Sequence, residues 1–78
     1  MAAELVDLIP LSQDADGVYR IGGTRVPLVL VVRAFNRGAT PEEIAQAFPS
    51  LQLAHIYQVI GYYLQHGDQL AGYFKRRA

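Results

Sequence analysis

Seventy-eight residues permit one small domain, and a chain of this size buries only about 60–65% of the surface its unfolded form exposes. The absence of cysteine excludes disulfides, thiolate metal sites and thiol nucleophiles, while 51% apolar and 18% charged residues exclude a disordered chain. Seven basic and seven acidic residues cancel, so no global field draws the protein to nucleic acid or to an anionic membrane, and any DNA contact must come from local charge placement.

The opening Met1-Ala2-Ala3-Glu4 has neither the basic flank nor the apolar stretch of a secretory leader. The longest apolar run, 26–32, is interrupted by Pro27 and stopped by Arg33, far short of the roughly 20 residues of a membrane span. A soluble, cytoplasmic protein without a membrane partner is expected. Residues 5–11 are apolar but broken by Pro10, which has no amide to donate, so they predict an edge strand or extended arm. Asp14-Ala15-Asp16-Gly17 is turn chemistry, and Val18-Tyr19-Arg20-Ile21 favours a second strand, giving a hairpin. A lone hairpin is marginal in water, so it must pack on helices or on a partner.

Gly22-Gly23-Thr24-Arg25 makes a second break. In 28–37 the spacing of Leu28, Val31, Val32 and Phe35 predicts a helix, with Gly38 placed to end it. Thr40-Pro41-Glu42-Glu43 predicts a capping box: the Thr40 hydroxyl serves the third helical amide and Glu43 reaches back to the Thr40 amide. Pro41 at the first helical position gives up an amide that had no partner. This helix runs to about Phe48, is closed by Pro49, and is expected to bury Ile44, Ala47 and Phe48.

After a turn at 49–52, residues 53–66 form the longest predicted helix. Leu53, Ile56, Ile60, Tyr63 and Leu64 make one stripe, expected to face the core, and Tyr57, Val59 and Tyr62 lie outside it. A helix apolar on two sides wants two neighbours, and a second subunit is the simplest source of the other. Gly67 is expected to end it, leaving Leu70, Tyr73 and Phe74 for a short last helix weakened by Gly72, with a basic tip at Lys75-Arg76-Arg77. The fold class expected is mainly α: a small N-terminal β-hairpin plus a trihelical, winged helix-turn-helix domain. Residues 1–78 form one domain, with arm and hairpin in 1–25, the trihelical core in 27–66, and the last helix and tip in 67–78.

The order of Gly17-Val18-Tyr19-Arg20-Ile21, Gly23-Thr24-Arg25-Val26-Pro27, Gly38-Ala39-Thr40-Pro41-Glu42-Glu43-Ile44 and Tyr62-Tyr63-Leu64 resembles the family catalogued as domain of unknown function 433, over about residues 4–75. The resemblance implies a hairpin plus helix-turn-helix and association as dimers. Several members are described as VapB-type antitoxins, which implies pairing with a PIN-like nuclease toxin. One departure stands out. The family usually opens its long helix with a Ser/Thr cap and acidic residues two and three positions on, and here those positions hold Gln52, Ala54 and His55. The lost negative charge no longer repels a phosphate from the positive end of the helix dipole.

Candidate DNA contacts are Arg25, Arg33, Arg37, His55 and Gln58. The Arg25 fork suits a phosphate or a partner carboxylate; alternatively it satisfies loop carbonyls or Asp7, with Thr24 capping the helix after Pro27. On the face away from the expected stripe, Ala54, His55, Gln58, Gly61 and Gln65 form a polar strip, where Gln58 can read an adenine edge. Yet the long helix carries no Arg or Lys, the commonest reader of bases. Candidate dimer or partner contacts are Tyr57, Val59, Tyr62, Tyr63, Leu70, Tyr73 and Phe74.

Catalysis, metal and cofactor are not expected. His55 and His66 stand about 16 Å apart along one helix and cannot share an ion. Asp14 and Asp16 precede Gly17 too closely for a calcium loop, and Glu42 and Glu43 are adjacent and point apart. Two functions fit: a dimeric antitoxin that binds toxin and operator, or the same fold used only to hold protein partners.

Overall fold

The structure, a computed structural model, describes residues 9–77. The expected arm at 5–8 therefore lies outside the described residues. Strand β1 (Leu11–Gln13) pairs antiparallel with β2 (Tyr19–Ile21), placing Leu11 opposite Ile21, Ser12 opposite Arg20 and Gln13 opposite Tyr19. Asp14 builds the turn between them. Its backbone amide donates to the Val18 carbonyl at 3.0 Å and its carbonyl accepts from Gly17 at 2.9 Å. Its carboxylate Oδ1 accepts the amides of Asp16 and Val18 at 2.9 and 3.0 Å, so one side chain holds both arms of a three-residue hairpin loop.

Gly22 and Gly23 have φ of 55° and 75°, and the Thr24 amide donates to the Ile21 carbonyl at 2.9 Å, which makes a type I′ turn. The chain then runs back along the other edge of β2: the Ile21 amide donates to Val26 at 3.1 Å, and Arg20 bridges to Pro27. Thr24 does not cap the following helix, as its position before Pro27 suggested. Its hydroxyl donates to the Ile21 carbonyl and accepts the Val26 amide, locking this turn. Pro27 is the cap residue and contributes no side-chain bond.

Helix α1 (Leu28–Asn36) buries Leu28, Val31 and Val32 at the predicted spacing. Its end is a Schellman motif: Ala39 donates to Ala34 and Gly38 to Phe35, both at 3.0 Å, with Gly38 at φ 99° where a side chain would be strained. Helix α2 (Pro41–Ala47) opens on the predicted capping box, with Thr40 Oγ1 accepting the Glu43 amide at 3.1 Å and Glu43 Oε1 accepting the Thr40 amide at 2.8 Å. Of its expected buried set, Ile44 is buried, Phe48 is half-buried and Ala47 is exposed. After a turn through Leu51 comes α3 (Leu53–Gln65), which has no side-chain cap, as the substituted cap position predicts.

The face that α3 turns inward differs from the expected one. Ile56, Val59 and Ile60 are buried, while Leu53 and Leu64 are 40% and 64% exposed. Val59, expected outside the core stripe and at an interface, is the centre of the inward face. Gly67 does not end the helical part of the chain; it begins α4 (Gly67–Arg77), eleven residues long. Leu70 and Tyr73 fold back into the interior of the chain and are buried there. The core thus joins Ile21 of the hairpin to Leu28, Val31 and Val32 of α1, Ile44 of α2, Ile56, Val59 and Ile60 of α3, and Leu70 of α4. Burying such a side chain fully contributes about 1.5–3 kcal/mol, and the hairpin is stabilised through its place in this core. No described helix is long and apolar enough to cross a membrane.

Candidate functional site

At 3.6 residues per turn, Leu53, Tyr57 and Leu64 fall within about 40° of one another on α3, a stripe about 16 Å long. All three are exposed, and the exposed Gly61 lies beside them. This apolar strip flanks the buried face of the same helix. The two-sided character read from the sequence is therefore real, but its outer side is built from Leu53, Tyr57 and Leu64. The signal was available as a second stripe at spacing four and seven. Tyr57 is also tied within the chain, because its hydroxyl donates to the Glu42 carboxylate on α2. That bond holds the Glu42 carboxyl below the usual range and raises the Tyr57 phenol above its own.

A second surface is a groove of about 370 Å³ lined by Val18, Val29, Val32, Arg33, Asn36, Tyr63, Tyr73 and Phe74. It brings Arg33 from the candidate DNA set together with Tyr63, Tyr73 and Phe74 from the candidate interface set. Asn36 Nδ2 donates to the Tyr63 hydroxyl at 3.2 Å, and the Tyr19 backbone amide donates to the Tyr73 hydroxyl at 2.8 Å. The rings of Tyr73 and Phe74 meet edge-on at 5.3 Å, and Tyr63 and Phe74 lie 6.4 Å apart. Tyr73 is spent on the chain's own hairpin, and Leu70 on its core; neither is free for a partner in this arrangement. Tyr62 stacks on His66 at 4.2 Å and is half-buried.

The remaining basic and polar candidates are dispersed. His55 packs against the Gly22 backbone so closely that a Cβ there would lie 2.5 Å from Nδ1, so this ring fastens the hairpin turn to α3 instead of joining an open polar strip. Gln58 is half-buried. Arg25 is exposed beside Asp14, Arg20 and Thr24, and its carbonyl accepts from Arg20 at 2.8 Å. Arg20 also pairs with Asp14 at 3.1 Å, a structural role that its sequence neighbourhood did not reveal. The Asp14 carboxyl is held below the usual range, first by the Val18 amide and further by the Asp16 amide and Arg20. Arg33 and Arg37 lie one turn apart at the C-terminal end of α1, where positive charge also complements the helix dipole. Lys75 and Arg76 are exposed on α4. Among the described residues no three His, Asp or Glu side chains converge on a metal-sized site.

These surfaces define a small, mainly helical domain with an N-terminal hairpin, one apolar outer helix face and one aromatic groove. The family model described as "Protein of unknown function (DUF433)" matches residues 13–63, well over half of the chain, and the chain belongs to that family. The match begins in β1 and ends near the end of α3, so α4 lies beyond it. Comparison with curated proteins and with solved structures gives no significant match.

Proposed function

We propose that this protein is the antitoxin of a type II toxin–antitoxin pair: a cytoplasmic, homodimeric helix-turn-helix protein that binds a nuclease toxin and its own operator DNA. The observation that carries the reading is the outer face of α3, where Leu53, Tyr57 and Leu64 stand exposed in line beside the face already packed on the core. Such a strip favours a protein neighbour, and a second copy supplies a self-complementary one. The resemblance to VapB-type antitoxins supplies the toxin. Exposed Arg25, Arg33 and Arg37, doubled by twofold symmetry, would provide the phosphate contacts. No catalytic role and no cofactor are proposed.

One observation favours a second reading. Helix α3 carries no Lys or Arg, and the sequence-expected readers His55 and Gln58 are each half-buried. The same fold would then serve only as a protein-interaction module. A gel-shift titration on the DNA upstream of the gene, at low and moderate salt, separates the two. The antitoxin reading expects a salt-sensitive shift that is lost when Arg25, Arg33 and Arg37 are replaced by Ala with the dimer intact. No shift at micromolar protein supports the interaction module.

A further inference from the structure

The groove between α1 and α4 is apolar in its walls and one-sided in its polar chemistry. Val29, Val32 and Phe74 give it hydrocarbon surface, and among the described residues Arg33 is the only charged side chain lining it. Arg33 forms no ion pair with any described residue. The acidic side chains of the described residues sit elsewhere: Asp14 and Asp16 in the hairpin turn, Glu42 and Glu43 in the first turn of α2, Asp68 in the first turn of α4. Tyr63 adds to this bias. Its hydroxyl already accepts a hydrogen bond from Asn36, so it keeps its own proton to donate. Guanidinium and phenol protons beside a hydrocarbon trough complement an anion with an apolar body, hold a neutral amphiphile more weakly for want of a charge, and disfavour a cationic one.

We propose that this groove binds a small organic monocarboxylate, its apolar body between Val29 and Phe74 and its carboxylate on Arg33, with the Tyr63 hydroxyl as a further donor. The size argues for a small molecule over a protein segment. About 370 Å³ lies at the lower end of small-ligand sites. A stable protein interface needs about 800 Å² from each partner, far more than one such trough offers.

The test uses the full chain without DNA or toxin, so its result is separate from that of the proposed function. Phenylbutyrate and the uncharged phenylbutanol are titrated in heteronuclear NMR spectra. The acid is expected to shift the amides of Val18, Val29 and Phe74 saturably, with the alcohol about tenfold weaker or worse, the ratio expected of one charge-assisted contact. Arg33→Gln should bring the acid's affinity down to the alcohol's and leave the alcohol's unchanged. Val29→Trp, which fills the trough, should abolish both. Circular dichroism checks each variant, with Val29→Phe replacing a Trp variant that loses helix. The proposal is overturned if the acid gives no saturable shift at millimolar concentration, if acid and alcohol bind alike, if Arg33→Gln leaves the acid's affinity unchanged, or if the shifts centre on Leu53 and Leu64.

Discussion

The hydroxyl of Tyr73 accepts the backbone amide of Tyr19 at 2.8 Å, across a separation of 54 residues. The two rings meet edge-on with centroids 4.7 Å apart. Through this pair the last helix is fastened to the first hairpin, and the protein closes on itself. Tyr73→Phe keeps the ring and removes the acceptor, leaving the Tyr19 amide unpaired beside a buried ring. The expected loss is about 1–2 kcal/mol by urea unfolding, with faster hydrogen exchange at the Tyr19 amide. Unchanged stability and exchange would show that water replaces the hydroxyl at no cost.

Thr40 and Glu43 exchange two hydrogen bonds at the start of α2, a helix of only seven residues that buries one side chain. Such a helix depends on its cap more than on its packing. Thr40→Ala is expected to cost about 1 kcal/mol and to speed exchange of the Glu43 amide, while α1 and α4 keep their protection. Loss of protection throughout the chain would place α2 in the global folding unit instead.

How far the fold was legible in the sequence follows from the range of each interaction. The capping box spans four residues and the Schellman end of α1 six, so both were readable. The hairpin was readable too, because Asp14 and Gly17 carry its turn. The inward face of α3 was misjudged for a physical reason: a helix with two apolar stripes does not say which one the rest of the chain will cover. Topology put Val59 inside and Leu53 and Leu64 outside. Helix α4 was underestimated because Gly67 and Gly72 weaken it locally, while its anchor, the Tyr19–Tyr73 pair, has no local trace. Of the site residues, Arg25, Arg33 and Arg37 were visible as charges, but the groove that joins Arg33 to Phe74 required α3 to hold α1 and α4 on either side of it.

Gly22 answers two demands at once: φ of 55°, and a Cβ position 2.5 Å from His55 Nδ1. Gly23, at φ 75°, meets only the first, since nothing lies within 4 Å of its Cβ position. Gly23→Ala is expected to cost about 1–2 kcal/mol from backbone strain, and Gly22→Ala more. In a His55→Ala background the two glycine substitutions should become equal, because only the clash has been removed. Chemical unfolding of the four variants measures this cycle. A persisting difference would place the extra strain in the turn itself.

Asp14 makes acid stability a local matter. Its carboxyl titrates below the usual range in the folded chain, held there by the Val18 and Asp16 amides and Arg20. As pH falls, the unfolded chain takes up this proton first, near the ordinary value of about 3.9. The stabilisation is therefore complete above that value and disappears as pH drops through the lower folded value. Glu42, held low by Tyr57, acts in the same direction. Asp14→Asn should be less stable than wild type at neutral pH and lose less on acidification, so the two thermal unfolding curves converge at low pH. Parallel curves would mean that Asp14 is equally bound to its proton in both states.

Leu53 and Leu64 decide whether the outer strip of α3 is a joint between copies. They are 40% and 64% exposed in the single chain, so replacing both with Gln removes far less intrachain packing than a core substitution and keeps good helix formers. If two copies pair through this strip, wild type should scatter light as a dimer and its unfolding temperature should rise with protein concentration. Leu53→Gln with Leu64→Gln should then halve the scattering mass and remove the concentration dependence. A double variant that stays dimeric would move the joint to another face of the molecule. A wild type that scatters as one copy would remove the dimer altogether, and with it the doubling of Arg25, Arg33 and Arg37 on which the DNA reading depends.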